Sequence, residues 1–233
     1  MSEKYTAVLF SAGLDSAVLL ADALAHRSPG ETVQALHVSV GFAWEAEERA
    51  MSERLFARSP FAGRADPPVR LSFDMRDVFP ATHWAVRGTP PAFDTPDEDV
   101  FLDGRNVILT SKAAVFVARN AGPRHTAARL LMGTLAGNPF PDATPDFLAA
   151  QGRALSLGLD LSIAVEAPFA ALHKSDVIRR GVELGVALEL TLSCMQPKDG
   201  LHCGMCSKCR ERRDAFREAA VPDPTKYRHT PLR

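Results

Sequence analysis

Several things are missing from this chain, and each absence removes a class of function. There is no charge excess: 27 basic residues face 28 acidic ones, for a formal net charge of −1. A protein that grips a long nucleic acid usually carries a basic surplus or stripe, so nucleic acid is not an expected partner. No apolar run approaches the roughly 20 residues that span a bilayer, and no membrane role is expected. The opening residues MSEKYTAVLFSAG lack the basic region, apolar stretch and cleavage site of a secretory signal, so a cytoplasmic enzyme is the expectation. Cysteine is confined to one short window, Cys194 to Cys209, a clustering that argues for a metal rather than disulfides. Internal repeats and low-complexity tracts are absent. What remains is an ordinary globular composition, 46% hydrophobic and 24% charged over 233 residues, long enough to bury a sizeable core.

The hydrophobic pattern alternates between strands and helices. Strands are expected at 6–10, 33–40, 69–73, 129–133 and 162–166. Helical periodicity covers 14–25, 44–56, 106–120, 145–157, 175–185 and 206–219. Such alternation predicts an α/β fold, a parallel sheet with helices on both faces. The 106–120 helix is apolar on most of its surface and is expected to be buried, stopped by Gly122. Between Arg76 and Gly104 the chain is rich in Pro and Asp without a sustained period, which reads as a functional loop or lid. The basic cluster Lys208, Arg210, Arg212 and Arg213 reads as a solvated face of the last helix.

The most informative segment is Val8-Leu9-Phe10-Ser11-Ala12-Gly13-Leu14-Asp15-Ser16. A buried strand running through small residues into a helix aims free backbone N–H groups and the positive helix end at an anion. Ser11 and Ser16 add hydroxyl donors, and Gly13 admits close approach of a phosphate. Asp15 would repel a bare phosphate, so it is expected to orient backbone groups or help hold magnesium. No Lys follows, which excludes the common G-x-x-x-x-G-K-[ST] loop. The segment resembles instead the S-G-G-x-D-S signature of the ATP pyrophosphatases (PP-loop, HUP-type fold), which cleave ATP between the α and β phosphates. Ala12 replaces a glycine of that signature. If the position needs a left-handed backbone, Ala costs roughly 1–2 kcal/mol there.

Near the other end, Cys203-Gly-Met-Cys206-Ser-Lys-Cys209 follows Cys194. Four thiolates in C-x2-C spacing suit a tetrahedral structural zinc, with an iron–sulfur cluster or metal-free buried thiols as the alternatives. If all four bind metal, none is left to carry sulfur, which argues against RNA thiolation.

With both ends in place, the chain resembles the 7-cyano-7-deazaguanine synthase family from Ala7 to about Phe216. The likeness rests on Phe101-Leu102-Asp103-Gly104-Arg105-Asn106 before a helix, the Gly133-Thr134 turn, and Phe140-Pro141-Asp142-Ala143-Thr144-Pro145-Asp146-Phe147. It rests also on Ala167-Pro168-Phe169 with Lys174, and on Leu192-Ser193-Cys194 with the three later cysteines. The resemblance implies an ATP pyrophosphatase-like domain over 1–190 with a zinc-binding C-terminal segment, 191–233, packed on it. It implies adenylation of 7-carboxy-7-deazaguanine, ammonia (or another amine) as nitrogen donor, Mg2+ with ATP, and a homodimer. The candidate ATP contacts are Ser11, Ala12, Gly13, Leu14, Asp15, Ser16, His37, Gly133 and Thr134, though His37 by itself reads as a satisfied half-buried strand residue. Candidate catalytic groups are Asp15, Lys174 and Arg105, the bland alternatives being a solvated Lys174 and an Arg105 ion pair anchoring the lid. Candidate substrate contacts are Trp44, Arg105, Asn106 and Asp142, with helix capping the alternative for Asp142. The metal ligands are Cys194, Cys203, Cys206 and Cys209.

Two departures from the family pattern fall where a substrate would lie. Ala143-Thr144 replaces a Cys-Arg pair, and Gly41-Phe42-Ala43-Trp44 replaces a polar segment. Retained adenylation with a different amine acceptor is the functional alternative, and a zinc-bearing binding module without ATP cleavage is a weaker one. Phe42, Trp44 and Trp84 are more often core than stacking platforms. His83 in the lid reads as a surface residue, and His202 as a neighbour of the metal that four thiols leave unneeded.

Overall fold

The short apolar run at the start of the chain forms β1 (Tyr5–Leu9), and the small residues after it allow the turn into α1 (Leu14–Ala25). The computed structural model describes residues 4–122 and 127–230, so the outer ends of the two expected segments, 1–3 and 231–233, lie outside the described residues. The chain continues through β2 (Thr32–Ser39), α2 (Glu45–Phe56), β3 (Val69–Ser72), α3 (Trp84–Arg87), α4 (Arg105–Asn120) and β4 (Ala127–Leu131). It ends with α5 (Pro145–Leu159), β5 (Ser162–Glu166), α6 (Lys174–Glu183) and α7 (Ser207–Ala219). The five strands lie in the order β3-β2-β1-β4-β5, every pairing parallel. The order reverses direction between β1 and β4. In open parallel sheets, ligands bind at such a switch point, outside the carboxyl ends of the strands.

Two apolar layers cover the sheet, as the alternating pattern requires. One gathers α1, α2, α6 and α7 around Val8, Phe10 and Ala35, and it runs without a break into the four cysteines and Phe216. The other sets α4 and α5 against Tyr5, Ala7, Leu130 and Val165. Gly152 makes that second contact close: a Cβ there would stand 3.1 Å from the Ile163 carbonyl. The expected fold is therefore present, with element ends displaced by a few residues.

Three expectations need correction. Helix α4 is not buried all round: only Thr110, Ala113, Ala114 and Val117 are buried, and Val115 is 48% exposed. Its small residues let the backbone lie close to the sheet while its longer apolar side chains sit at the rim. The 76–104 segment is not structureless, since it holds α3 and a 3-10 turn at Asp97–Val100. The basic cluster of α7 faces inward and toward this segment rather than into water. Lys208 Nζ reaches Asp97 at 3.2 Å, Arg210 donates to the Thr95 carbonyl, and Arg210 and Arg213 both lie over the Phe93 ring.

Arg212 is completely buried. Its guanidinium donates to the Thr225 and Thr191 hydroxyls, the Ser193 hydroxyl and the Leu188 carbonyl, at 2.6 to 3.1 Å. One planar fork thus ties α7 to the loops on either side of it, a geometry an ammonium cannot reproduce. Arg212→Lys is expected to cost roughly 2–4 kcal/mol by leaving two or more of these acceptors unpaired, read as a fall in the urea midpoint of metal-loaded protein.

Candidate functional site

The turn after β1 is built around a strained residue. Ala12 has φ +57°, the left-handed region that an alanine occupies at a cost of roughly 1–2 kcal/mol. It is fully buried, and its carbonyl accepts the Leu192 N–H at 2.8 Å. Gly13, by contrast, is extended (φ −64°, ψ 154°) and starts α1 with no side-chain cap. The Ser16 hydroxyl is committed to the turn, accepting from Ser11 N–H and donating to the Gly13 carbonyl. The uncapped first-turn N–H groups of α1 are what the turn offers to an anion.

A cavity of about 430 Å3 opens over this turn. It is lined by every sequence-selected nucleotide, catalytic and substrate residue except Ala12, which lies behind the wall and shapes the turn. Gly133 packs tightly on the start of α1: a Cβ there would come within 3.3 Å of the Asp15 carbonyl carbon and Ser16 N. Asp15 Oδ1 and Thr134 Oγ1 are buried, and neither has a hydrogen-bond partner among the described residues. An unpaired carboxylate oxygen and an unpaired hydroxyl beside uncapped N–H groups fit a bound triphosphate with its cation, the hydroxyl donating to phosphate and the carboxylate facing the cation. His37 donates through Nδ1 to the Phe10 carbonyl, 3.1 Å away. Burial lowers its pKa, against the opposing effect of that carbonyl.

Lys174 is the first residue of α6, where a positive charge opposes the helix dipole. It is only 15% exposed and is held between two carboxylates, Asp15 at 3.3 Å and Glu211 at 2.5 Å. Burial by itself would lower its pKa, but Asp15 and Glu211 together hold it raised. Glu211 also binds Lys208 at 2.8 Å. Burial opposes its ionisation, yet the two ammonium groups bring its pKa down to about 2. The solvated alternative for Lys174 is excluded by this arrangement.

The other end of the cavity is aromatic. Trp44 and Trp84 stack on each other, 5.6 Å apart and 13° from parallel, and Phe42 is buried behind them. Arg105 begins α4 and faces the cavity. Its guanidinium makes no ion pair among the described residues, so the lid-anchoring alternative is not what the structure contains. Asn106 and Asp142 both line the cavity but are bound to each other. Asp142 accepts from the Asn106 backbone N–H at 3.1 Å and from its side-chain amide at 3.1 Å, capping α4.

The four cysteines are buried, their Sγ atoms all within 4.8 Å of one another. Backbone N–H groups of Gln196 and Cys203 point at Cys194 Sγ, and that of Met205 at Cys203 Sγ, as thiolate ligands require. Cys206 caps α7 and Cys209 lies in its first turn, where the helix dipole favours thiolate. This donor set fits one tetrahedral metal site. His202 is outside it, its Nε2 accepting from Ser193 N–H.

The family profile described as Queuosine biosynthesis protein QueC matches residues 85–220, from the lid through the whole cysteine cluster. The chain belongs to the QueC family. QueC-family relatives match along nearly the whole length. A protein of Azoarcus sp. (strain BH72) named 7-cyano-7-deazaguanine synthase is 33% identical, over 94% of this chain and 95% of its own. Proteins of the same name from Syntrophotalea carbinolica and Methanoculleus marisnigri are 32% and 30% identical, over 97% and 96% of this chain and 97% and 99% of theirs. The solved U34-tRNA thiolase NcsA from Methanococcus maripaludis overlaps at a TM-score of 0.48 and 10% identity, covering 94% of this chain and 68% of that one, a likeness too slight to bear on function.

Sequence reasoning missed Glu48, Lys208 and Glu211 in this QueC-family cavity. The last two were hidden because α7 looked like a solvated face; the i, i+3 spacing of opposite charges was the available signal. Glu48 sits in an acidic stretch that reads as an exposed helix face. Burial in the wall pushes its carboxyl up to about 8, Arg105 opposing and Glu45 adding to the shift.

Two outcomes follow from this geometry. Cys206→Ser is expected to lose the bound metal, read by elemental analysis, and to lower the melting temperature. Glu48 stays protonated in the fold at pH values where the unfolded chain ionises it. It therefore stabilises the fold fully below about pH 4.5, and that contribution is lost as pH rises toward about 8. Glu48→Gln is expected to flatten this part of the stability–pH curve, followed by urea unfolding at several pH values.

Proposed function

We propose that the protein is an ATP-dependent carbon–nitrogen ligase, forming AMP and pyrophosphate, that converts 7-carboxy-7-deazaguanine with ammonia into the amide and then the nitrile. The reading rests on one observation: a single cavity joins the uncapped start of α1 and Lys174 to an aromatic end bearing Arg105, which forms no ion pair among the described residues. The substrate carboxylate oxygen bonds to the α-phosphorus while the bond to the β-phosphate bridge breaks, and pyrophosphate leaves. The N–H groups of α1 and the Lys174 ammonium face the charge that develops on the leaving group, the arrangement that contributes most to such steps. Arg105 holds the carboxylate through a two-toothed contact. Ammonia then attacks the acyl carbon, AMP departs with the acyl oxygen, and a proton is lost. A second ATP takes the amide oxygen in the same way, and loss of AMP with both amide protons leaves the nitrile.

Magnesium bound with ATP supplies neutralising charge on the phosphates, and Asp15, with its unpartnered Oδ1, is the residue to hold it. Zinc is the proposed metal for Cys194, Cys203, Cys206 and Cys209, a closed four-thiolate set of structural type. The protein is proposed to work as a cytoplasmic homodimer, with residues 1–190 as the pyrophosphatase-like body and 191–233 packed on it. A second reading, transfer to an amine other than ammonia, is favoured by the Phe42 and Trp44 wall, which departs from the family pattern at the acceptor end.

The test is mass spectrometry of products from metal-quantified protein with ATP, magnesium, 7-carboxy-7-deazaguanine and ammonium. AMP with amide or nitrile is the expected result. AMP and pyrophosphate without a nitrogen product would support the second reading, and no AMP at all would overturn both. Lys174→Ala is expected to lower kcat roughly 100-fold while leaving the affinity for the acid unchanged.

A further inference from the structure

Six carboxyl groups line the cavity, and five are already engaged by the protein. Asp15 and Glu211 hold Lys174, Asp97 holds Lys208, and Asp142 caps α4 through Asn106. Glu45 accepts from the Ser39 hydroxyl and from the Val40 and Gly41 N–H groups, shaping the turn after β2. Glu48 is the exception: among the described residues, the only group bonded to its carboxyl is the Trp44 side chain. Once ligand donors favour its charged form, such a carboxyl can accept about four hydrogen bonds, and Glu48 lines the cavity. Arg105 is the matching cation, electrostatically coupled to Glu48 but not paired with it. A carboxyl and a guanidinium left apart in one partly buried cavity suit a ligand that brings donors to the first and an acceptor group to the second.

We infer that Glu48 is a specificity-determining residue, accepting the two adjacent N–H donors on the pyrimidine edge of a guanine-type base while Arg105 takes the carboxylate on its five-membered ring. The inference rests on the function proposed above. A guanine-type base presents a ring N–H beside an exocyclic amine, a donor pair that one carboxylate receives through two parallel bonds. An adenine-type or 2-deamino base cannot present both. Satisfying a buried carboxyl also removes what now disfavours its charge, since donors to the charged form offset desolvation. The Trp44–Trp84 stack beside Glu48 gives the base a flat neighbour and keeps water from its edge.

The test measures binding without turnover. Metal-loaded full-length protein, held with the α,β-methylene analogue of ATP, is titrated calorimetrically with 7-carboxy-7-deazaguanine and with its 2-deamino analogue. Wild type is expected to favour the guanine form at least tenfold, and Glu48→Gln to lose most of that preference while binding the ATP analogue unchanged. A Glu48→Gln protein that keeps the preference would overturn the assignment. Wild type that binds neither acid would overturn the proposed substrate, and this inference with it, a result distinguishable because it needs no variant.

Discussion

The cavity depends on a cation placed where helix electrostatics would reject it. Lys174 opens α6, so its ammonium sits at the positive end of that dipole, largely out of water. Only the flanking carboxylates of Asp15 and Glu211 make the position tenable. These three residues come from three helices, α1, α6 and α7, which pack in sequence on one face of the sheet. Holding them together requires the whole layer to be in register. The same requirement sets a cation over the start of α1, where the strained Ala12 turn points uncapped N–H groups outward.

That layer explains why the cysteine cluster and the phosphate turn are parts of one design. Helix α7 begins at Cys206, carries Cys209 in its first turn, and presents Lys208 and Glu211 to the cavity. The segment leading to it hydrogen-bonds through Leu192 to the carbonyl of Ala12. A metal that fixes the start of α7 therefore also fixes where Glu211 stands, and through it Lys174.

Much of this was legible in the chain. Alternating apolar strands and amphipathic helices announce a parallel sheet because each element must bury one face, and the small residues after β1 announce an anion turn because they leave the backbone N–H groups open to a ligand. Four clustered thiols speak for themselves. What could not be read was which polar residues face each other across the fold. Asp142 and Asn106 look like ligand contacts in sequence, yet they satisfy one another at the start of α4. Lys208 and Arg212 look like a wet helix face, yet one crosses to the lid and the other is completely buried. Glu48 looks like one more exposed acid, and only the packing of α2 against the cavity reveals it. Local periodicity reports burial of apolar groups well, and says little about charges whose partners lie far along the chain.

The attachment of the 76–104 segment is polar where the rest of the layer is apolar. It is fastened to α7 by Lys208 on Asp97, Arg210 on the Thr95 carbonyl, and two guanidinium groups on Phe93, while Val100, Phe101 and Leu102 of the same segment close over the cavity. Contacts between partly exposed charges weaken as dissolved ions screen them, over a Debye length of about 8 Å at cellular ionic strength. The hold of this cavity wall on α7 is therefore the electrostatic part of the site, and added salt weakens it while leaving the apolar layers beneath intact.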